Sequence, residues 1–301
     1  MNYVHDSIWG EIQITPLMQK FIKTYEFQRL RNIKQLGTAQ FAFPCATNTR
    51  FEHCIGVSHI ARKMVSKLTN DKRLIELVSI AGLLHDIGHG PMSHNFDFYC
   101  DRYSFFTKPL YNVHEYRSIY IIRKMIGKYK IPITEFEIDL ICNCIKNQSS
   151  EQKWYYSIID GKIDADRIDY IIRDSKNTGV GIVVNRHDID KIINCIQLDE
   201  NKQICFDNRA DDCIKRLLDS REYLYKSVYH HKISNYLNEK IIEIMHKVWH
   251  KKEQRTDIED FFKVPFNDLF LEYYYLHGSK EVKQKVIEII NFDEEKIPEN
   301  V

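Results

Sequence analysis

The sequence predicts an all-α protein, a helical bundle with a small helical C-terminal appendage. Apolar residues recur at three- and four-residue spacing, as in Leu74, Leu77, Val78, Ala81 and Leu84 and again in Ile241, Ile244, Met245 and Val248. Only 11 Gly and 7 Pro interrupt 301 residues. A hydrophobic content of 44% is enough to bury a sizeable core, as one large domain or two small ones.

In chain order, His53 opens an amphipathic helix carrying Val57, Ile60 and Met64. A second helix, from about Leu74 to Leu84, ends at His85 and Asp86, where the turn from Gly88 to Pro91 leaves room for a metal or a substrate. Ile163, Ile168, Ile171 and Ile172 give the apolar face of a helix containing Asp166. Loops fall at Pro44, Gly88 to Pro91, Pro109, Pro132 and the polar stretch Asn147 to Lys153. The helix through Ile241 ends near His250, and Lys251, Lys252, Glu253, Gln254 and Arg255 form a charged break before a Phe- and Tyr-rich tail. The expected organisation is a core over 1–250 and a helical tail over 251–301 packed back on it.

Lys and Arg number 43 against 42 Asp and Glu, so the broad positive field of a non-specific nucleic-acid binder is missing and a small ligand is expected instead. No apolar run approaches the ~20 residues of a membrane span, and the first ten residues hold His5 and Asp6 in place of a signal core. The eight cysteines (45, 54, 100, 142, 144, 195, 205 and 213) form no CxxC pair. They read as reduced thiols of an intracellular, cytoplasmic or nuclear protein, and a Cys-based zinc site is not expected.

Four of thirteen histidines lie between residues 85 and 114, and His85 precedes Asp86 directly. His53, the His85–Asp86 pair and Asp166 together offer two imidazoles and two carboxylates, a mixed N/O set suited to Fe, Mn, Zn or Mg. Each part also has a plain alternative. A single His53 is more often a surface or satisfied core histidine, and Asp164, Asp166 and Asp169 are compatible with a solvated helix face. The order of the whole set is what raises its weight.

That order, with RFEH at 50–53, HD at 85–86 and Asp166, resembles the H...HD...D signature of HD-domain metal-dependent phosphohydrolases. The stretches FQRLRNIKQLG, RFEHCIGVSHIA, AGLLHDIGHGPMSHNFD, HEY, IDADRIDYIIRDSKNTG and YHHKISN are similar to the deoxynucleoside triphosphate triphosphohydrolase branch, over roughly residues 3 to 290. The resemblance implies that the chain is the catalytic core alone, without an N-terminal SAM domain or the lobe that follows the tail. It implies an HD-domain fold with His53, His85, Asp86 and Asp166 as metal ligands and with His114, His89 and Asp97 as catalytic residues. Gln35 and Leu36 would receive the 3′ hydroxyl and close the space of a 2′ hydroxyl. Arg50, Arg167 and Arg221 would meet phosphate oxygens, and His94 would also contact substrate. Tyr170, Asp174 and Tyr229 would lie against the sugar. Independently of the resemblance, Arg167, Tyr170 and Asp174 share one helical face by spacing.

Departures from the family fall at Tyr116 and Arg167, where the resembled enzymes have Gln and Lys, and above all at the regulatory nucleotide site. Gln28, Arg31, His231 and Lys232 persist, but Lys23 replaces the acid that reads guanine, Asn2 and His5 replace a lysine and an asparagine, and Asp188 and Asp207, expected to be exposed, stand in place of arginines. GTP activation is therefore not expected. The implied activity is conversion of dNTPs to deoxynucleosides and triphosphate, with a divalent metal in the His/Asp site, Mg with the substrate triphosphate, and assembly as a homo-dimer or tetramer. Two alternatives stay open: an HD phosphohydrolase acting on a monophosphate or phosphodiester, and a non-catalytic nucleotide-sensing or nucleic-acid-binding module.

Overall fold

The computed structural model describes residues 2–146, 152–180, 184–249, 258, 266–292 and 297. The charged break at 251–255 and the loop residues 147–151 lie outside them. An N-terminal hairpin, β1 (Tyr3–Asp6) and β2 (Gly10–Gln13), leads into α1 (Pro16–Ile22) and α2 (Tyr25–Gln28). Four helices then build the centre: α3 (Arg50–Leu68), α4 (Lys72–Leu84), α5 (His94–Tyr103) and α6 (His114–Tyr129). They are followed by α7 (Glu135–Ile145), α8 (Ala165–Thr178) and α9 (Arg186–Asn194), a second hairpin of β3 (Ile196–Leu198) and β4 (Ile204–Phe206), then α10 (Asp211–Leu224) and α11 (Lys232–Trp249). Past residue 266 come α12 (Phe270–His277) and α13 (Lys280–Ile290).

The fold is all-α apart from the two hairpins, which hydropathy spacing does not reveal because side chain-to-backbone turns create them. The Asp6 carboxylate accepts from the backbone N–H of Ile8 and Trp9 at 2.8 and 2.9 Å, and Asp199 accepts from those of Asn201 and Gln203 at 2.9 and 2.8 Å.

α4 is the central helix. Asp71 caps its N-terminus through the amides of Arg73 and Leu74, and every residue from Leu77 to Leu84 is buried. A helix buried on all sides must have neighbours all round, and α3 and α7 pack along it while α3 also meets α8. α8 begins at the Asp164 N-cap and ends on Gly179 in the left-handed conformation. A second, largely aromatic cluster joins α5, α11 and the C-terminal helices through Phe96, Tyr99, Phe105, Phe106, Trp249 and Phe270.

The segment ahead of α12 reaches back to the centre of the molecule. Asp268 accepts from the backbone N–H of Lys34 at 2.7 Å and of Met92 at 2.6 Å, and the Arg29 guanidinium donates to the carbonyls of Phe266 (3.0 Å) and His89 (2.7 Å). Met92 and Ser93 both take positive φ, 57° and 56°, so this clamp holds a loop that L-residues disfavour. All eight cysteines are free thiols, and among the described residues no helix is long and apolar enough to cross a membrane.

Candidate metal centre

Three helices deliver the first group of side chains. His53 lies one turn into α3, His85 is the C-cap of α4, and Asp166 sits in the first turn of α8. Their ligand-type atoms converge within 4.8 Å of one another. His53 Nε2 is 2.9 Å from Asp166 Oδ1, and His85 Nε2 is 3.6 Å from the same oxygen. Asp86 adds its carboxylate at 3.5 Å from His53 Nε2 and 3.4 Å from His85 Nε2.

Both histidines are oriented from behind. His85 Nδ1 lies 2.8 Å from the Gly82 carbonyl, which fixes the Nδ1–H tautomer and turns Nε2 toward the carboxylates. His53 Nδ1 lies 2.9 Å from Asp169 Oδ2. Asp169 is fully buried and also accepts from Arg173 at 2.8 and 2.9 Å and from the Trp9 indole at 2.5 Å. Gly56 makes this arrangement possible, since a Cβ there would collide with the Asp169 carboxylate and the Arg173 guanidinium.

Electrostatics favour a cation at this point. Burial alone would lower the pKa of His53, yet Asp166 and Asp169 outweigh it and push it up to about 10. Burial would raise Asp166, but His53 and His85 hold it well below the usual carboxylate range. The His53 and His85 Nε2 atoms are buried without a hydrogen-bond partner. Paired carboxylates facing orphaned imidazole nitrogens are a donor set that fits a divalent ion, and Asp166, with 35% of its side chain exposed, is the open wall.

A second group adjoins the first across Asp86. His89 stacks on His114 with ring centroids 3.9 Å apart, and His94 meets both rings edge-on. Asp97 gathers them: its Oδ2 is 3.0 Å from His114 Nδ1, 3.2 Å from His94 Nδ1 and 3.8 Å from His89 Nδ1, while Oδ1 receives Arg117. Asp86 Oδ1 is 3.4 Å from His89 Nε2 and 3.8 Å from His114 Nε2, which ties the groups together. Burial, then Arg50 and His114, depress His89 well below its ordinary value; His114 is raised, the Asp97 charge overcoming burial. One imidazole is thus biased toward its neutral form beside one whose protonated form is favoured by Asp97. Gly88 permits the close approach of α6, because a Cβ there would meet the His114 carbonyl and the Ser118 amide.

The other candidate residues form two sets. Arg221 Nε donates to the Tyr170 hydroxyl at 3.0 Å, and the Tyr229 hydroxyl donates to Asp174 at 2.9 Å, so α8, α10 and the π-turn after α10 share one wall. Asn48 donates to Asp174 at 3.1 Å and its carbonyl accepts from the Gln35 amide at 2.9 Å, which brings Gln35 and Leu36 to that wall. Arg167 stays at the mouth, donating to the Lys162 carbonyl at 2.7 Å. Arg50 is buried behind Asp86, donating to that carboxylate and to the Ser93 hydroxyl at 3.0 Å.

Sequence reasoning missed Asp169, Trp9, Arg173 and Arg117. Spacing carried part of the signal, since Asp169 follows Asp166 by three residues, Arg173 follows Asp169 by four and Arg117 follows His114 by three. The idea of a solvated face for Asp164 and Asp169 fails, both being buried, and the Asp188 carboxylate is not exposed either: it closes a capping box with Asn185 and receives Arg216 at 2.5 Å.

Residues 50–174 match the HD domain family model. An HD domain-containing protein of Acanthamoeba polyphaga mimivirus is 34% identical over 291 residues, covering 88% of this chain and 62% of that protein. The SAMHD1 homolog of Dictyostelium discoideum, named a deoxynucleoside triphosphate triphosphohydrolase, is 34% identical over 274 residues, covering 87% and 50%. Bovine SAMHD1, of the same name, is 30% identical over 323 residues, covering 91% and 54%. The chain thus spans between about half and three-fifths of these relatives.

Proposed function

The chain belongs to the HD-domain family, and on that premise we propose that it is a metal-dependent hydrolase that converts deoxynucleoside triphosphates into deoxynucleosides and inorganic triphosphate. The observation that carries this reading is the junction at Asp86 of an orphaned His/Asp donor set with a second set in which Asp97 holds His114 by its Nδ1 and leaves Nε2 facing Asp86. His53, His85, Asp86 and Asp166 would hold a divalent ion, Fe, Mn, Zn or Mg. Such an ion polarises phosphate and lowers the pKa of bound water.

The protein's own groups would do the rest. Asp97 occupies His114 Nδ1 and leaves Nε2 to pass a proton to the departing 5′ oxygen. His89, stacked on it and neutral, keeps the His114 ring in place, and His94 would reach substrate from the exposed rim. Tyr170, Asp174 and Tyr229 would flank the sugar, with Gln35 and Leu36 at its 3′ and 2′ edge. Arg167 and Arg221 would meet the triphosphate with bidentate geometry, and Mg would travel with it. Arg50, held behind Asp86, would act on the phosphates through that carboxylate's position or after leaving it.

We also propose a homo-oligomeric, intracellular enzyme whose core spans 1–250 with the tail of 251–301 packed on it; the eight free thiols support a reducing compartment. Incubating the pure chain with each dNTP and NTP, plus Mn or Mg, tests the reading. Deoxynucleoside and intact triphosphate are expected. Release of monophosphate products, or equal rates on dATP and ATP, would replace it with a different nucleotide hydrolase.

A further inference from the structure

We propose that a small phosphate ester binds in a cavity of about 400 Å³ between the N-terminal hairpin and the C-terminal half of α3. Its walls carry Tyr3 and Glu11 of the hairpin and His59, Arg62, Lys63 and Lys67 of α3. The four helical residues share one face by their three- and four-residue spacing. Arg62 stands nine positions beyond His53, about 14 Å further along the axis, so the cavity is separate from the metal centre.

Arg62 carries the argument. Its Nη1 is buried and has no hydrogen-bond partner, although a planar guanidinium is a strong multiple donor and an unmet buried donor is costly. Phosphate oxygens match that fork two at a time. The surrounding charge agrees. Lys63 is paired with Asp190 at 2.5 Å, which leaves Arg62 and the exposed Lys67 facing a single lining carboxylate, Glu11. Burial first, then Lys63 and Arg186 against the opposing pull of Asp6 and Asp169, push His59 down to about 4, so this ring adds a neutral donor or acceptor to the wall. The volume exceeds what a free phosphate needs and falls in the range of small-ligand pockets, with Tyr3 available to cover the organic part.

The test reads binding, so it stands whether or not the hydrolase reading survives. The full chain carrying Arg221→Gln, which weakens any phosphate contact at the proposed active site, is titrated calorimetrically with inorganic pyrophosphate in the presence of EDTA. Saturable binding at one site per chain is expected, weakened at least tenfold when Arg62→Gln is added. Lys67→Glu, at an exposed position that leaves folding alone, should weaken it several-fold and decides the matter should Arg62→Gln lose its circular dichroism signal. No saturable binding, or an affinity untouched by these substitutions, overturns the proposal.

Discussion

Replacing Asp169 with Asn tests whether the metal centre depends on a residue that touches no metal. The carboxylate serves three partners at once: His53 at 2.9 Å, Arg173 at 2.8 and 2.9 Å and Trp9 at 2.5 Å. Asn keeps the volume but removes the charge and one acceptor oxygen, so the His53 tautomer is no longer fixed and Arg173 is left with Asp6, 3.0 Å away, as its one charged partner of these two. Loss of such an outer partner typically costs 10- to 100-fold in metal affinity, roughly 1.4 to 3 kcal/mol. Breaking a buried ion pair adds about 3 kcal/mol of lost stability, or about 5–10 °C in Tm for a domain of this size. Competition with a chelator measures the first effect and thermal unfolding the second. Asp6→Asn separates them: it weakens Arg173 without touching His53, and should lower Tm while metal affinity holds. An Asp169→Asn protein that binds metal as tightly as the wild type would refute the reasoning.

His114→Ala should retain metal and nucleotide while losing roughly 10²- to 10⁴-fold in rate, the usual cost of removing a general acid; a wild-type rate would shift that role to His89. Gly56→Ala should lower Tm, by about 1–3 kcal/mol or more in stability, because its methyl group displaces Asp169 and Arg173; unchanged unfolding would contradict the packing described. Burial raises the Asp174 pKa to about 6 against the hydrogen bonds of Tyr229 and Asn48. A folded-state pKa raised above the unfolded value gives stability that is complete below about pH 4 and lost as pH climbs to 6, by about 3 kcal/mol. Relative to Asp174→Asn, the wild type should therefore lose stability across that window, and parallel pH curves for the two proteins would be inconsistent with it. With Lys23 offering only donors where guanine needs an acceptor, hydrolysis should proceed without GTP; a strict, saturable GTP requirement in the turnover assay would reverse this.

Helix placement and the ligand-type residues were legible because both are periodic or ordered along the chain. Leu77 to Leu84 and the His53, His85–Asp86, Asp166 series needed no tertiary knowledge beyond the bundle itself. The supports were not legible. Asp169 looks like its neighbours until α3 and Gly56 are packed against it, and Trp9 reaches it from 160 residues away. The hairpins escaped because Asp6 and Asp199 form them locally, against no hydropathy signal. Arg50 illustrates the converse, a residue whose motif was plain but whose bond to Asp86 only the folded chain displays.

The Asp268 clamp bears on the order in which the molecule can be assembled during synthesis. It bridges Lys34 and Met92 across sequence separations of 234 and 176 residues, so the loop beside His89 acquires its acceptor only after most of the chain has been made. Contacts this distant close late, since the entropy of the intervening segment must be spent first. A ribosome-bound chain halted before residue 266 would carry every His and Asp of the candidate metal centre and the Arg50 and Lys34 contacts to Ser93, but the Met92 and Lys34 amides would still lack the acceptor that Asp268 brings to this positive-φ loop. The last contacts of the loop beside His89 are therefore made late, when a single carboxylate arrives from the far end of the chain.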